Sequence, residues 1–333
     1  MNDKTIITTE FGAHAEARTP IIISASRATD IPAFYAQWFI NRLQAGYCVW
    51  YNPFNHKPVY VSFKKCRAVV FWTKNPKPII PLLKELDSKK INYYFQFTLN
   101  DYDNERFEPN VPPLQQRIET FKELAKMIGK EKVIWRFDPL ILTDNITTRD
   151  LLAKIRNIGN QIKGCTDKLV FSFADIGSIY RKVENNMKRE NIPYIEFTEK
   201  TMLEIAEGLA ITREKWAENG WKISLATCAE LIDLKHYGIE HNRCIDGELM
   251  KHIFAHDTDL AYYLNCEKMP EKMKDRGQRK TCGCMLSKDI GMYNTCAHLC
   301  AYCYANTSKE TVKKNRNSYN ENGESISTGT PPA

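Results

Sequence analysis

The 333-residue chain contains no apolar run approaching the roughly 18 residues that a membrane-spanning helix needs. Residues Met1 to Thr19 are polar and mixed in charge, without the basic-then-apolar order of a secretory leader. No G-x-G-x-x-G follows the first apolar run, which argues against a dinucleotide-binding fold. No basic stripe or nucleic-acid reader motif accompanies the formal net charge of +7. These absences predict a cytoplasmic protein with no membrane partner. The remaining composition is that of an ordinary globular chain, 43% hydrophobic and 26% charged, and long enough for one large core or two modest ones. The basic excess suits a phosphate-bearing substrate or nucleic acid, and equally a set of solvated lysines.

The eleven cysteines are the unusual feature. A cytosolic chain keeps its thiols reduced, so structural disulfides are not expected. Five of the eleven fall between Cys282 and Cys303, and clustering of that kind reads as metal ligation. The last three form Cys296-x3-Cys300-x2-Cys303, with Tyr302 just before the final cysteine. Three thiolates at this spacing can hold three irons of a [4Fe–4S] cluster and leave the fourth open to a chelating ligand. The alternative is a zinc module, because tetrahedral sulfur suits both. Zinc sites usually pair C-x2-C knuckles, however, and the cluster is the preferred reading. Cys228, Cys244, Cys282 and Cys284 form a second candidate group, for a second [4Fe–4S] cluster, a zinc ion or no ligand at all. Cys48, Cys66, Cys165 and Cys266 are assigned no role.

Seven apolar, β-branched or aromatic runs punctuate the chain: 20–27, 48–52, 68–73, 93–99, 133–137, 169–173 and 223–227. Helical patterns near 33–43, 79–88, 114–128, 147–162 and 198–219 separate most of them. Continuous apolar strands are buried on both faces, as in a parallel sheet. Repeated strand–helix units of this length predict an α/β fold, a TIM-like (β/α) barrel, complete or partial. A flat doubly wound sheet is the second choice. The expected division is a polar tail over 1–19, the barrel over 20–230, a cysteine-rich segment capping its mouth over 231–306, and a disordered tail over 307–333. Polar residues collect at the strand ends, where a barrel carries its chemistry: Ser26, Arg27, Asn52, Thr73, Lys74, Thr98, Asn100, Arg136, Asp138, Ser172, Asp175 and Thr227.

The cysteine loop resembles the motif of the radical S-adenosylmethionine (SAM) superfamily in its spacing and its aromatic residue. In that superfamily the open iron binds SAM, and reductive cleavage gives a 5′-deoxyadenosyl radical. The resemblance implies SAM and a [4Fe–4S] cluster as cofactors, and an electron donor such as flavodoxin or ferredoxin as a partner. A radical SAM loop normally follows the first barrel strand, whereas this one follows every strand. In a closed barrel the segment leaving the last strand lies beside the first, so the loop would reach Ser26 and Arg27.

Ile22–Pro32, Phe71–Pro76, Phe95–Asn100, Trp135–Pro139 and Cys296–Asn306 also resemble the DUF1848 family over most of residues 20–306. Thr73–Asn75 and Arg136–Pro139 are loosely similar to photolyase-like radical SAM proteins and spore photoproduct lyase. On these resemblances Ser26, Arg27, Lys74, Tyr302 and Asn306 are cofactor-binding candidates. Arg136 and Asp138 are catalytic candidates, with guanidinium groups suited to a carboxylate or phosphate. His298 is expected to support the cluster by hydrogen bonding. The expected function is a radical SAM enzyme acting on an unknown substrate, a small molecule or nucleic acid. A zinc-stabilised nucleic-acid-binding protein is the alternative.

Overall fold

The computed structural model describes residues 4–177, 181–265 and 282–327. Its strands are β1 (Lys4–Thr8), β2 (His14–Arg18), β3 (Ile22–Ala25), β4 (Tyr47–Tyr51), β5 (Pro58–Ser62), β6 (Ala68–Thr73), β7 (Asn92–Thr98), β8 (Val133–Leu140), β9 (Lys168–Phe173), β10 (Ser224–Thr227), β11 (Ile239–His241) and β12 (Lys288–Asp289). Eight of them form one sheet in the order β11-β10-β9-β8-β7-β6-β3-β12, with every neighbouring pair parallel. Apart from β12, chain order and spatial order coincide, and the last strand returns to lie beside the first. A doubly wound sheet reverses its strand order at a switch point; here the strands run in one direction from β3 to β11, and only β12 is added on the other side of β3.

Strand side chains alternate between faces, and the two faces bury different partners. Ile23, Val69, Phe71, Phe95, Phe97, Trp135 and Phe171 join a core with Trp38, Phe39, Phe121, Leu124, Ile155, Leu209 and Trp216. These partners come from the helices Ala36–Ala45, Leu114–Ile128, Thr148–Gln161 and Glu199–Glu218. Ile22, Ala68, Val70, Tyr94, Ile134 and Val170 point the other way. They pack against Cys244, Ile245, Met250, Phe254, Leu260 and Leu264, with Cys282 and Cys284. The cysteine-rich segment is therefore what covers the second face. Two of the helices start as their sequences require. Thr147 accepts the Asp150 amide while the Asp150 carboxylate accepts the Thr147 amide, and Thr198 and Thr201 repeat the exchange.

Both expected tails need correction. Residues 4–18 are a hairpin, β1 against β2, in a second sheet of order β1-β2-β5-β4. The run at 48–52 lies in this small sheet as β4, not in the parallel one. The C-terminal stretch is ordered through residue 327. It forms a helix over Lys309–Asn317 and then docks by backbone carbonyls, with Trp38 Nε1 donating to Gly323 O at 2.9 Å and the Val49 amide to Glu324 O at 2.7 Å. Its apolar content is low, but Ile326 is 1% exposed. Residues 328–333 and the basic approach at 272–280, with Cys266, lie outside the described residues. Among the described residues no helix is long and apolar enough to cross a membrane.

Candidate functional site

The C-terminal segment is tied to the end of the first sheet strand. Lys288 and Asp289 pair with Ile23 and Ser24, and the Asp289 carboxylate accepts the Ser24 hydroxyl and the Arg27 amide, both at 2.8 Å. Gly291 then passes Ser26 so closely that a Cβ there would lie 1.9 Å from the Ser26 hydroxyl oxygen. Farther on, the Tyr304 hydroxyl donates to the Arg27 carbonyl. Ser26 and Arg27, read as strand-end residues, thus face the segment that carries the cysteine loop.

The loop itself is irregular backbone, fixed by polar contacts. The Ala301 amide donates to Phe107 O at 2.8 Å, Asn110 Nδ2 to Ala297 O at 2.8 Å, and Asn306 Nδ2 to Cys296 O at 2.8 Å. His298 Nε2 lies 2.8 Å from Asp30 Oδ2, which also accepts the Lys74 amide at 2.7 Å. Asp30 Oδ1 meanwhile caps the short helix Ile31–Phe34 through the Ala33 amide. One carboxylate therefore holds the ends of β3 and β6 and the loop together.

The three sulfurs gather on this collar. Cys300 is buried, and Cys296 and Cys303 are half-buried. Burial pushes the Cys296 thiol up to about 12, with the Cys303 and Asp30 charges adding to it. Cys300 is raised well above the ordinary thiol range, by burial first, against the opposing pull of Lys74. The Cys296 and Cys303 charges push the Cys300 thiol in the same direction. Beside them lies a buried polar knot. Lys74 Nζ donates to Glu108 Oε1 at 2.7 Å and contacts the Tyr302 hydroxyl at 3.0 Å, while Asn100 Nδ2 reaches Glu108 Oε1 and the Tyr302 hydroxyl, each at 3.0 Å. Tyr302 donates to Glu108, and Arg117 lies 3.7 Å from its second carboxylate oxygen. Burial alone would raise this carboxyl, but Lys74 and Arg117 outweigh it and hold it down at about 2. Lys74 and Tyr302 are thereby engaged with each other and with Glu108.

The second cysteine group lies on the sheet face opposite the helices. Cys228 follows β10, and its sulfur is 3.5 Å from that of Cys244. The Cys284 sulfur accepts the Ile245 amide at 3.4 Å, and Cys244, Cys282 and Cys284 pack in one buried cluster. Tyr94 and Gln96 of β7 fix the Cys244 carbonyl at 2.6 and 2.9 Å. Arg136 NH1 donates to the Cys244 sulfur at 3.0 Å and to Gln96 Oε1 at 3.1 Å. The same guanidinium pairs with Asp138, which accepts the Ser172 hydroxyl. The Asp138 amide donates to Asn100 Oδ1 at 2.9 Å, which connects this pair to the Lys74–Glu108–Tyr302 knot. By contrast, Cys48 and Cys66 are lone buried thiols, each pushed up to about 12 by burial.

A protein-family profile described as Domain of unknown function (DUF1848) matches residues 22–305. The chain belongs to the DUF1848 family. Neither a curated protein nor a solved structure matches it. The match ends two residues beyond Cys303, so both cysteine groups and the eight-stranded parallel sheet lie within the DUF1848 region. Sequence reasoning missed Glu108, which sits in an acidic loop indistinguishable from a solvated surface. Nor did it single out Asp30, Gln96 or Asn242. Asn52 belongs to the turn between β4 and β5 and does not join the site.

Proposed function

We propose that this DUF1848 chain is a radical SAM-type enzyme whose [4Fe–4S] cluster is held by Cys296, Cys300 and Cys303. The observation that carries this reading is that the loop bearing the three cysteines is tied to the ends of β3 and β6, through Asp30 to His298 and the Lys74 amide and through Tyr304 to the Arg27 carbonyl. The donor set suits such a group. Three thiols in one loop, one buried and two half-buried, are the ligands that three irons of such a cluster take. When bound, the cluster supplies the electron that cleaves the SAM sulfonium.

The chain's own residues hold and shield that site. Asp30 orients His298 and the loop by accepting from both sides. Lys74, neutralised by Glu108, sets a cation next to Cys300. Asn306 clamps the Cys296 carbonyl, and its amide oxygen is buried without a hydrogen-bond partner, available to a ligand at the loop. Arg27, stacked over Trp72 at 5.1 Å, is the cation best suited to a carboxylate. Arg136 and Asp138 pair with each other, and Arg136 donates to Cys244, so their role is to hold the second cysteine group against β8. The single-direction strand order supports a barrel that is closed or nearly so, with the cysteine-rich segment as its cap. The substrate would enter at this mouth, and a flavodoxin- or ferredoxin-type donor would dock near the half-buried Cys303. Anaerobic reconstitution with iron and sulfide tests the reading: a brown wild type with four irons per cluster, and a Cys300→Ala variant that loses them. A wild type that stays colourless and binds no iron would refute it.

A further inference from the structure

The second cysteine group calls for its own account, because it differs from the loop in spacing. Cys228 and Cys244 are in sulfur contact at 3.5 Å, Cys284 accepts the amide of Ile245 next to Cys244, and Cys282 packs in the same buried cluster. Tetrahedral thiolates around zinc sit about 3.8 Å apart, given Zn–S bonds of about 2.3 Å. A cubane cluster spreads its cysteines over separate irons and holds them farther apart than sulfur contact.

We propose that Cys228, Cys244, Cys282 and Cys284 form a structural tetrathiolate site for one zinc ion. The four sulfurs come from three separate places in the chain: the end of β10, the segment after β11 and the approach to β12. Three N–H groups already point at them. Arg136 NH1 and Asn242 Nδ2 donate to Cys244 at 3.0 and 3.3 Å, and the Ile245 amide donates to Cys284 at 3.4 Å. Donors of this kind stabilise and orient metal-bound thiolate. Charge fits as well. Four thiolates around a divalent ion are doubly negative, and two guanidinium groups, Arg27 and Arg136, act on Cys244, with Asp138 facing Arg136.

Among the described residues no three His, Cys, Asp or Glu side chains already enclose a common point. A bound zinc ion would draw these four sulfurs into a tetrahedron around it. The site would fasten the segment covering the second sheet face to β10. A lone buried cysteine needs none of this, as Cys48 and Cys66 illustrate.

The proposal is independent of the C-terminal cluster and is tested without it. The full-length Cys296→Ser/Cys300→Ser/Cys303→Ser variant is purified anaerobically and its zinc, iron and sulfide are counted. One equivalent of zinc, with cobalt(II) replacing it to give the absorption of a tetrahedral tetrathiolate, is the expected result. Cys228→Ser/Cys244→Ser should lose that zinc while keeping the iron of the loop. If this second variant does not fold, the cobalt spectrum of the first still decides. A folded triple variant that binds no metal, or that carries iron and sulfide in place of zinc, overturns the assignment.

Discussion

Glu108 is the residue on which the candidate site's electrostatics turn. Burying a carboxylate costs several kcal/mol unless paired and hydrogen-bonded, and here Lys74, Arg117, Asn100 and Tyr302 supply the partners. Its carboxyl is held at about 2, below the ordinary carboxylate value. A depressed pKa gives stability that is fully present above the unfolded value of about 4.3 and is lost as pH falls through the folded one. Urea midpoints should therefore drop between about pH 4.3 and about 2, and Glu108→Gln should flatten that part of the profile. The same variant at neutral pH leaves the buried Lys74 without its carboxylate, while Arg117 keeps Asp103, and should cost about 3–5 kcal/mol. An unchanged neutral midpoint would show that the knot is not a paired network. Nothing in the run 101–108 distinguishes Glu108 from the solvated carboxylates around it, because its partners lie in three other segments. Arg136 was legible as a strand-end cation, but its bond to Cys244 was not, since 108 residues separate them.

At the scale of elements, the helices over 114–128, 148–161 and 199–218 were readable from apolar spacing and terminal residues, as were the parallel strands from their unbroken apolar runs. Strands buried on both faces leave that signature. The hairpin β1–β2 does not, because KTIIT and HAEAR are short, mostly exposed strands that alternate outward-facing residues with half-buried or buried ones. The C-terminal stretch was read as disordered on composition, yet it docks through carbonyl oxygens that composition cannot reveal. A chain ended after Asn317 should lose several kcal/mol by chemical denaturation. Hydrogen bonds to Trp38, Arg42 and Val49 contribute about 1 kcal/mol each, and burial of Ile326 about 2 kcal/mol. A truncated chain as stable as the full one would mean that this docking is incidental. Gly291→Ala probes the join between β12 and the end of β3. Its Cβ would lie 2.5 Å from the Ser26 Cβ, and overpacking of that kind costs about 1–3 kcal/mol. Adding Ser26→Gly should recover part of the loss. Additive destabilisation in the double variant would place the strain elsewhere.

For the molecule as a whole, the strand order explains how a loop at the end of the chain reaches the beginning of the sheet. β12 lies beside β3, so residues separated by more than 260 positions share one hydrogen-bonded corner. The cysteine loop thus reaches the ends of β3 and β6 from the far end of the chain, held there through Asp30 and Tyr304. That placement is the basis for the proposed chemistry. The most direct test is to incubate the iron-loaded protein with SAM and a one-electron reductant under anaerobic conditions and measure 5′-deoxyadenosine. The account predicts its formation by the wild type and its loss in Cys300→Ala. An iron-loaded wild type that forms none, or a Cys300→Ala variant that forms as much as the wild type, would contradict it.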